Sequence, residues 1–255
     1  MRKASVVFFL ASLLAACGDN SGGSGTQTSE STELKNNSTP TVAPTKSILT
    51  GKFSPSETTG FTKVPDEMAS KPMFIQTEVL SAFERMREAA AKERINLYIV
   101  SGTRTFNDQK AIWERKWSAL FSAGKDSLAT ANEILEFSSM PGTSRHHWGT
   151  DIDLVSVEPA YFESGEGLKM YNWLIGHAGD FGFCQVYSNK EETQRKGYNM
   201  EKWHWSYTPI STIYLKAYLE QINYSDIQGF TGDKLPARLR IKEEFVQGID
   251  SRCAK

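Results

Sequence analysis

The 255-residue sequence contains four histidines, and three of them fall in two compact polar clusters. The first cluster is Ser144-Arg145-His146-His147-Trp148-Gly149-Thr150-Asp151-Ile152-Asp153, and the second is Glu201-Lys202-Trp203-His204. Imidazole nitrogen and carboxylate oxygen are zinc donors, and a catalytic zinc keeps one coordination position open. His146, Asp153 and His204 supply three such donors and leave that position free. Glu201, three residues before His204, can reach a water at the metal without being a ligand. A carboxylate so placed takes a proton during attack and returns it to the leaving amine, the division of labour of metallopeptidases with one catalytic Zn2+.

The spacing also says what must position these groups. His146 and Asp153 are seven residues apart, too far for a single helical turn to align them. A loop entering a strand does so, with Gly149 permitting the turn and Asp153 projecting from the strand start. Period-two geometry puts Asp151 on the same face as Asp153, so Asp151 either supports a ligand or is itself the ligand. The plainer alternative makes His146 and His147 loop histidines satisfied by hydrogen bonds, with His204 packed beside Trp203 and Trp205.

Apolar residues Val79, Leu80, Phe83, Met86 and Ala90 recur at helical spacing and predict a helix over Glu78 to Arg94. A strand-like run from Ile95 to Val100 follows, and the turn formers after it set Arg104 at the strand exit. Helices are expected from Asn107 to about Leu120, from Leu168 to Asp180 and from Pro209 to Ile222, with a short helix or turn over 132–141. Strands are expected at Asp151 to Val155, Phe181 to Tyr187 and Trp203 to Tyr207. Mixed strands and helices point to an α+β fold.

The N-terminus has a different character. Arg2 and Lys3 precede a short apolar run from Val6 to Leu14, which has the layout of an export signal over residues 1–16. Leu14-Ala15-Ala16-Cys17 resembles the lipobox of bacterial lipoproteins, which implies cleavage before Cys17 and a lipid on its thiol. Residues 17–50 are rich in Gly, Ser, Thr, Asn and Pro and read as a flexible tether, leaving one domain over 51–255. Of 29 basic residues Arg2 and Lys3 are lost with the signal, so 27 face 30 acidic ones, a formal charge of −3 that disfavours nucleic acid as a partner. After Cys17 only Cys184 and Cys253 remain, and an even pair in an oxidising compartment reads as a disulfide pinning the C-terminal tail.

Three separated segments, in order, resemble the VanY-type D-alanyl-D-alanine carboxypeptidases, zinc peptidases that trim the stem peptide of bacterial peptidoglycan. Their pattern is SGxR, then SxHxxGxAxD, then ExWH. Here these are Ser101-Gly102-Thr103-Arg104, the run from Ser144 to Asp153, and Glu201-Lys202-Trp203-His204, spanning about residues 98–207. The resemblance implies zinc on His146, Asp153 and His204, with Glu201 catalytic. It also implies that Arg104 clamps a terminal carboxylate or a developing oxyanion, and that Ser144 and Gln109 hydrogen-bond substrate. Asp151 departs from the pattern, which has Ala there. The implied architecture is a small central antiparallel sheet flanked by helices, with the zinc site on the sheet edge in a cleft.

Trp148, Trp203, Trp205 and Tyr207 are expected to wall that cleft, His147 to orient Arg or substrate at its rim, and His177 to be structural. The expected activity is zinc-dependent removal of the terminal D-Ala from a stem peptide. An L,D-carboxypeptidase, a crosslink endopeptidase or a non-catalytic peptidoglycan-binding lipoprotein are the alternatives. A monomer held to a membrane by its N-terminal lipid, exported and facing the wall, is expected, with Gly18 after the lipidated cysteine favouring the outer membrane.

Overall fold

The computed structural model describes residues 42–254. The expected signal over residues 1–16, the lipidated Cys17 and the tether as far as residue 41 lie outside the described residues. The folded body nevertheless begins before Gly51. Val42, Ile48 and Leu49 are buried, the last two on the one-turn helix α1 (Lys46–Leu49), which Thr45 caps. The Tyr214 hydroxyl donates to Val42 O at 2.6 Å, and the Trp148 indole donates to Leu49 O at 3.3 Å. Three apolar side chains in an otherwise polar stretch therefore suffice to anchor it.

Strands β1 (Phe61–Lys63) and β2 (Phe74–Gln76) form an antiparallel pair that leads directly into α2 (Thr77–Lys92). The helix buries Val79, Leu80, Ala82, Phe83, Met86 and Ala90, the stripe anticipated from its spacing. β3 (Ile99–Ser101) is shorter than the apolar run suggested, although Ile95 and Leu97 before it are also buried. α3 (Phe106–Ser122) opens on a capping box in which Thr105 and Asp108 exchange side-chain and backbone hydrogen bonds. Its buried residues are Gln109, Trp113 and Trp117, so a polar side chain occupies the first position of an otherwise aromatic stripe. α4 (Ser127–Ile134) starts earlier than the short helix expected near 132, because Asp126 accepts from the Leu128 and Ala129 N–H groups.

A four-stranded antiparallel sheet carries the two sequence clusters. β4 (Asp151–Leu154) and β6 (His204–Tyr207) are its inner strands, β3 lies outside β4, and β5 (Phe183–Cys184) lies outside β6. The β4–β6 register pairs Asp153 with His204 and Asp151 with Ser206. The site therefore sits at one end of the two inner strands, where β4 finishes and β6 begins.

β5 is two residues long where a strand over Phe181 to Tyr187 was expected. Beyond Cys184 the backbone has other partners: Val186 O accepts from Asp250 N–H, and Tyr187 O accepts from Glu201 N–H at 2.9 Å. α5 (Gly165–His177) precedes β5, the one-turn α6 (Lys190–Thr193) follows it, and α7 (Thr208–Gln221) leaves β6 with Pro209 in its first turn. The tail after α7 is packed, with Phe230 edge-on to Trp113 and Trp113 Nε1 donating to Thr231 O. Cys184 and Cys253 are joined by a disulfide, with Cα atoms 5.7 Å apart. Among the described residues no helix is long and apolar enough to cross a membrane.

Candidate metal centre

Ser144 begins the centre. Its hydroxyl accepts from His146 N–H and caps a single 3-10 turn, Arg145–Trp148, which Gly149 closes at φ +71°. A Cβ on Gly149 would come within 2.4 Å of the Phe61 ring, so both conformation and space require glycine there. The turn ends two residues short of β4 and sets His146 beside Asp153, which the strand carries inward on the same face as Asp151. β6 then brings His204 beside Asp153 through the strand register.

The donor atoms of His146, Asp153 and His204 all lie within 4.8 Å of one another, and the three side chains are buried. His146 Nε2 is 3.2 Å from Asp153 Oδ2, and His204 Nδ1 is 3.1 Å from Asp153 Oδ1. The outer nitrogens are spoken for: His146 Nδ1 donates to Gly102 O at 2.9 Å, and His204 Nε2 donates to Asp151 Oδ1 at 3.0 Å. Both imidazoles thus turn their remaining nitrogen toward Asp153. His146 Nε2 is buried without a hydrogen-bond partner, a costly arrangement for a polar atom unless it is a ligand. Two imidazole nitrogens, each ring held from behind, and a carboxylate between them fit a zinc ion with an open position.

Charge in the centre follows from burial and pairing. Burial alone would raise Asp153, but the facing His146 imidazole and the hydrogen bond from His204 hold it well below the ordinary carboxylate range. Asp151 is likewise held low against its own burial, first by the Arg145 guanidinium and then by His204. Burial lowers His146. His204 goes the other way: burial opposes its charge, yet hydrogen bonds to Asp151 and Asp153 push it up to about 9 in the metal-free protein. Glu201 Oε2 lies 3.6 Å from His204 Nδ1, and burial, reinforced by Asp153, pushes this carboxyl up to about 7. A group with that proton affinity both accepts and returns a proton near neutrality.

Asp151 lies outside the set of three donor atoms, behind His204. It meets the far nitrogen of His204, while Arg145 Nε at 2.9 Å and Thr150 Oγ1 at 2.6 Å hold its two oxygens. Arg145 also donates to Ser206 Oγ at 2.7 Å and lies over the Trp148 ring, so a fully buried ion pair backs the metal side of β4 and β6.

Arg104 reaches the cleft from the exit of β3. Its Nη2 is 3.4 Å from Asp153 Oδ2, and its Nη1 donates to Gln109 Oε1 at 3.0 Å. Gln109 in turn donates to Ser139 O at 2.8 Å. His147 is fully buried, donates from Nδ1 to Arg104 O at 2.6 Å and accepts Gly142 N–H at Nε2, and burial lowers it to about 3, so it is a neutral brace on Arg104. Gln109 and Ser144 are both inward-facing supports, Gln109 of Arg104 and Ser144 of the His146 turn. His177 stands apart from the centre, exposed at the end of α5 with its ring 4.9 Å from that of the buried Trp173.

The cleft walls differ from the expected tryptophans. Tyr187, Tyr198, Phe137, Ser138 and Ser139 line the cleft with Arg104, Glu201, His146 and His204. Trp205 and Tyr207 point away because period two places them on the opposite face of β6 from His204; the Tyr207 hydroxyl reaches Glu78 instead. Trp148 lies beneath the centre against Tyr214 and Tyr218, and Trp203 packs on Phe162. Tyr187, whose ring is 4.6 Å from His204, carries no spacing signal in a chain with nine tyrosines.

A family described as VanY, D-alanyl-D-alanine carboxypeptidase, matches residues 72–210, more than half of the chain. An Enterococcus faecalis protein named D-alanyl-D-alanine carboxypeptidase is 26% identical over 144 residues, covering 56% of this chain and 52% of that protein. The Bacillus subtilis protein YodJ is 28% identical over 170 residues, covering 62% and 56%. The chain thus spans just over half the length of these two relatives. A solved structure of VanYB in complex with D-alanine-D-alanine is similar at a TM-score of 0.47 and 24% identity, over 60% of this chain and 87% of that one.

Proposed function

Because the chain belongs to the VanY family of D-alanyl-D-alanine carboxypeptidases, we propose that it is a zinc-dependent carboxypeptidase that removes the terminal D-Ala of peptidoglycan stem peptides. The observation that carries this reading is the meeting of three donor atoms with Glu201 at their margin: a carboxyl of raised proton affinity 3.6 Å from His204 Nδ1. A zinc ion held by His146, Asp153 and His204 would polarise the scissile carbonyl and lower the proton affinity of the attacking water.

The chain's own residues supply the rest. Glu201 takes the proton of the attacking water and delivers it to the leaving amine, which a binding protein would have no use for. Arg104, pinned by Gln109 on its side chain and by His147 on its carbonyl, presents a guanidinium to the peptide's terminal carboxylate. Asp151 fixes the tautomer of His204 so that Nδ1 faces the cleft. Tyr187 and Tyr198 exclude water from the far side. Residues 1–17 support export and a lipid on Cys17, which would place the domain facing the wall.

The test is mass spectrometry of the zinc-loaded protein incubated with a pentapeptide ending D-Ala-D-Ala, a tetrapeptide ending in one D-Ala, and a crosslinked dimer. Release of one D-Ala from the pentapeptide, abolished by chelation, is the expected result. Cleavage confined to the tetrapeptide or the dimer would replace the substrate, and cleavage of none by zinc-loaded protein would reject the peptidase reading.

A further inference from the structure

Lys116 has no role in the chemistry above, yet it lies beside the cleft. It is on α3, half-buried, and its Nζ donates to Ser138 Oγ at 2.6 Å. Ser138 is part of the cleft wall. Among the described residues no carboxylate forms an ion pair with Lys116. Burial first, then the charges of Arg115 and Arg104, lower its pKa, and Glu201 alone opposes them. An ammonium group in that position would gain from an incoming carboxylate.

We propose that Lys116 and Ser138 form a second anion subsite that takes a side-chain carboxylate of the stem peptide, selecting substrates whose diamino acid keeps a free second carboxyl group. The inference rests on the carboxypeptidase reading, with Arg104 on the terminal carboxylate. Gln109, which holds Arg104, and Lys116 are seven residues apart on one helix, about 10 Å along its axis. Two extended peptide residues span roughly 7 Å, and a long side chain covers the remainder. In a peptide ending D-Ala-D-Ala the last two side chains are methyl groups, so the first residue able to bring a carboxylate is the third from the end. Phe137, next to Ser138, lines the cleft and is 41% exposed, so this wall reaches solvent where the upstream peptide would leave.

The experiment uses the zinc-loaded full chain and three pentapeptides that differ only at the third residue: a diamino dicarboxylic acid, the same residue with its second carboxyl amidated, and lysine. Both kcat/KM and Kd are measured. The acid peptide is expected to be favoured over the other two by roughly ten-fold or more, as for a charge-assisted hydrogen bond. Lys116→Met should collapse that ratio toward one, Ser138→Ala should reduce it, and Lys116→Arg should retain most of it. Equal values for the three peptides on the unsubstituted protein overturn the subsite without any variant, as does a preference that survives Lys116→Met. If no peptide is cleaved the carboxypeptidase reading fails, and the Kd values still decide the subsite by the same criterion.

Discussion

His204 Nε2 and Asp151 Oδ1 lie 3.0 Å apart, on the side of the imidazole turned away from Asp153 and Glu201. The hydrogen bond assigns a proton to Nε2 and leaves Nδ1 to face the other two candidate donors, so a residue absent from the family pattern at this position orients the His204 ring. Its own partner, Arg145, is 1% exposed, so the pair is desolvated throughout.

Asp151→Ala should therefore weaken zinc binding by roughly ten- to a hundred-fold. It should also destabilise the domain by about 3–5 kcal/mol, because Arg145 would be left buried without its counter-charge. Asp151→Asn, which keeps an acceptor for His204, should lose less affinity. Chelator competition reads the zinc Kd and denaturant unfolding of the metal-free protein reads stability; an unchanged Kd in the alanine variant would remove Asp151 from the centre.

Glu201→Gln should keep the zinc and lose the reaction. The amide retains the shape of the side chain but takes no proton, so kcat should fall about a hundred- to ten-thousand-fold while metal content stays at one per chain. Metal analysis beside a stem-peptide assay separates the two effects, and loss of zinc would make Glu201 a ligand.

The candidate metal residues were legible because their types are rare and their spacing is bound to local structure. A turn closed by Gly149 feeding an alternating strand leaves His146 and Asp153 few ways to be arranged. The face shared by Asp151 and Asp153 was legible for the same reason, but the choice of Asp151 as support depends on which ring nitrogen β6 presents, a matter of strand register across 53 residues. Tyr187 walls the cleft because Val186 pairs with Asp250 of the tail and Tyr187 itself with Glu201, and Tyr198 packs edge-on against the Tyr187 ring, contacts that no local pattern encodes. Val42 went unrecognised for the opposite reason: a lone apolar residue in a polar run looks like tether, and only its burial and the Tyr214 hydrogen bond show that it belongs to the folded domain.

Opening the Cys184–Cys253 bridge should loosen the wall of the cleft that bears Tyr187. The bridge spans 69 residues, and beside it Asp250 donates its N–H to Val186 O and accepts from Ser188 Oγ at 2.7 Å. Removing a link across such a loop costs about 2–4 kcal/mol. Cys253→Ser should lower Tm by several degrees, as should reductant on the unsubstituted protein, with no additive effect when both are applied. A Tm indifferent to reductant would show that the tail is held by its non-covalent contacts alone.

Zinc uptake should expel protons, and its pH dependence should run opposite to that of the metal-free fold. His204 is pushed up to about 9 from an ordinary 6.5 when no metal is present. A raised pKa stabilises the metal-free protein fully below 6.5, and that contribution is lost as pH rises through 9. Zinc needs the Nδ1 lone pair, so binding near neutrality must release about one proton from His204, and affinity should climb roughly ten-fold per pH unit until pH 9 is approached. Calorimetry in buffers of different ionisation enthalpy counts the protons, and thermal unfolding with chelator or with zinc across the same range should give curves that diverge as pH rises. A zinc affinity that stays flat across this interval would mean that His204 is neutral in the metal-free protein and that its bonds to Asp151 and Asp153 do not hold a second proton.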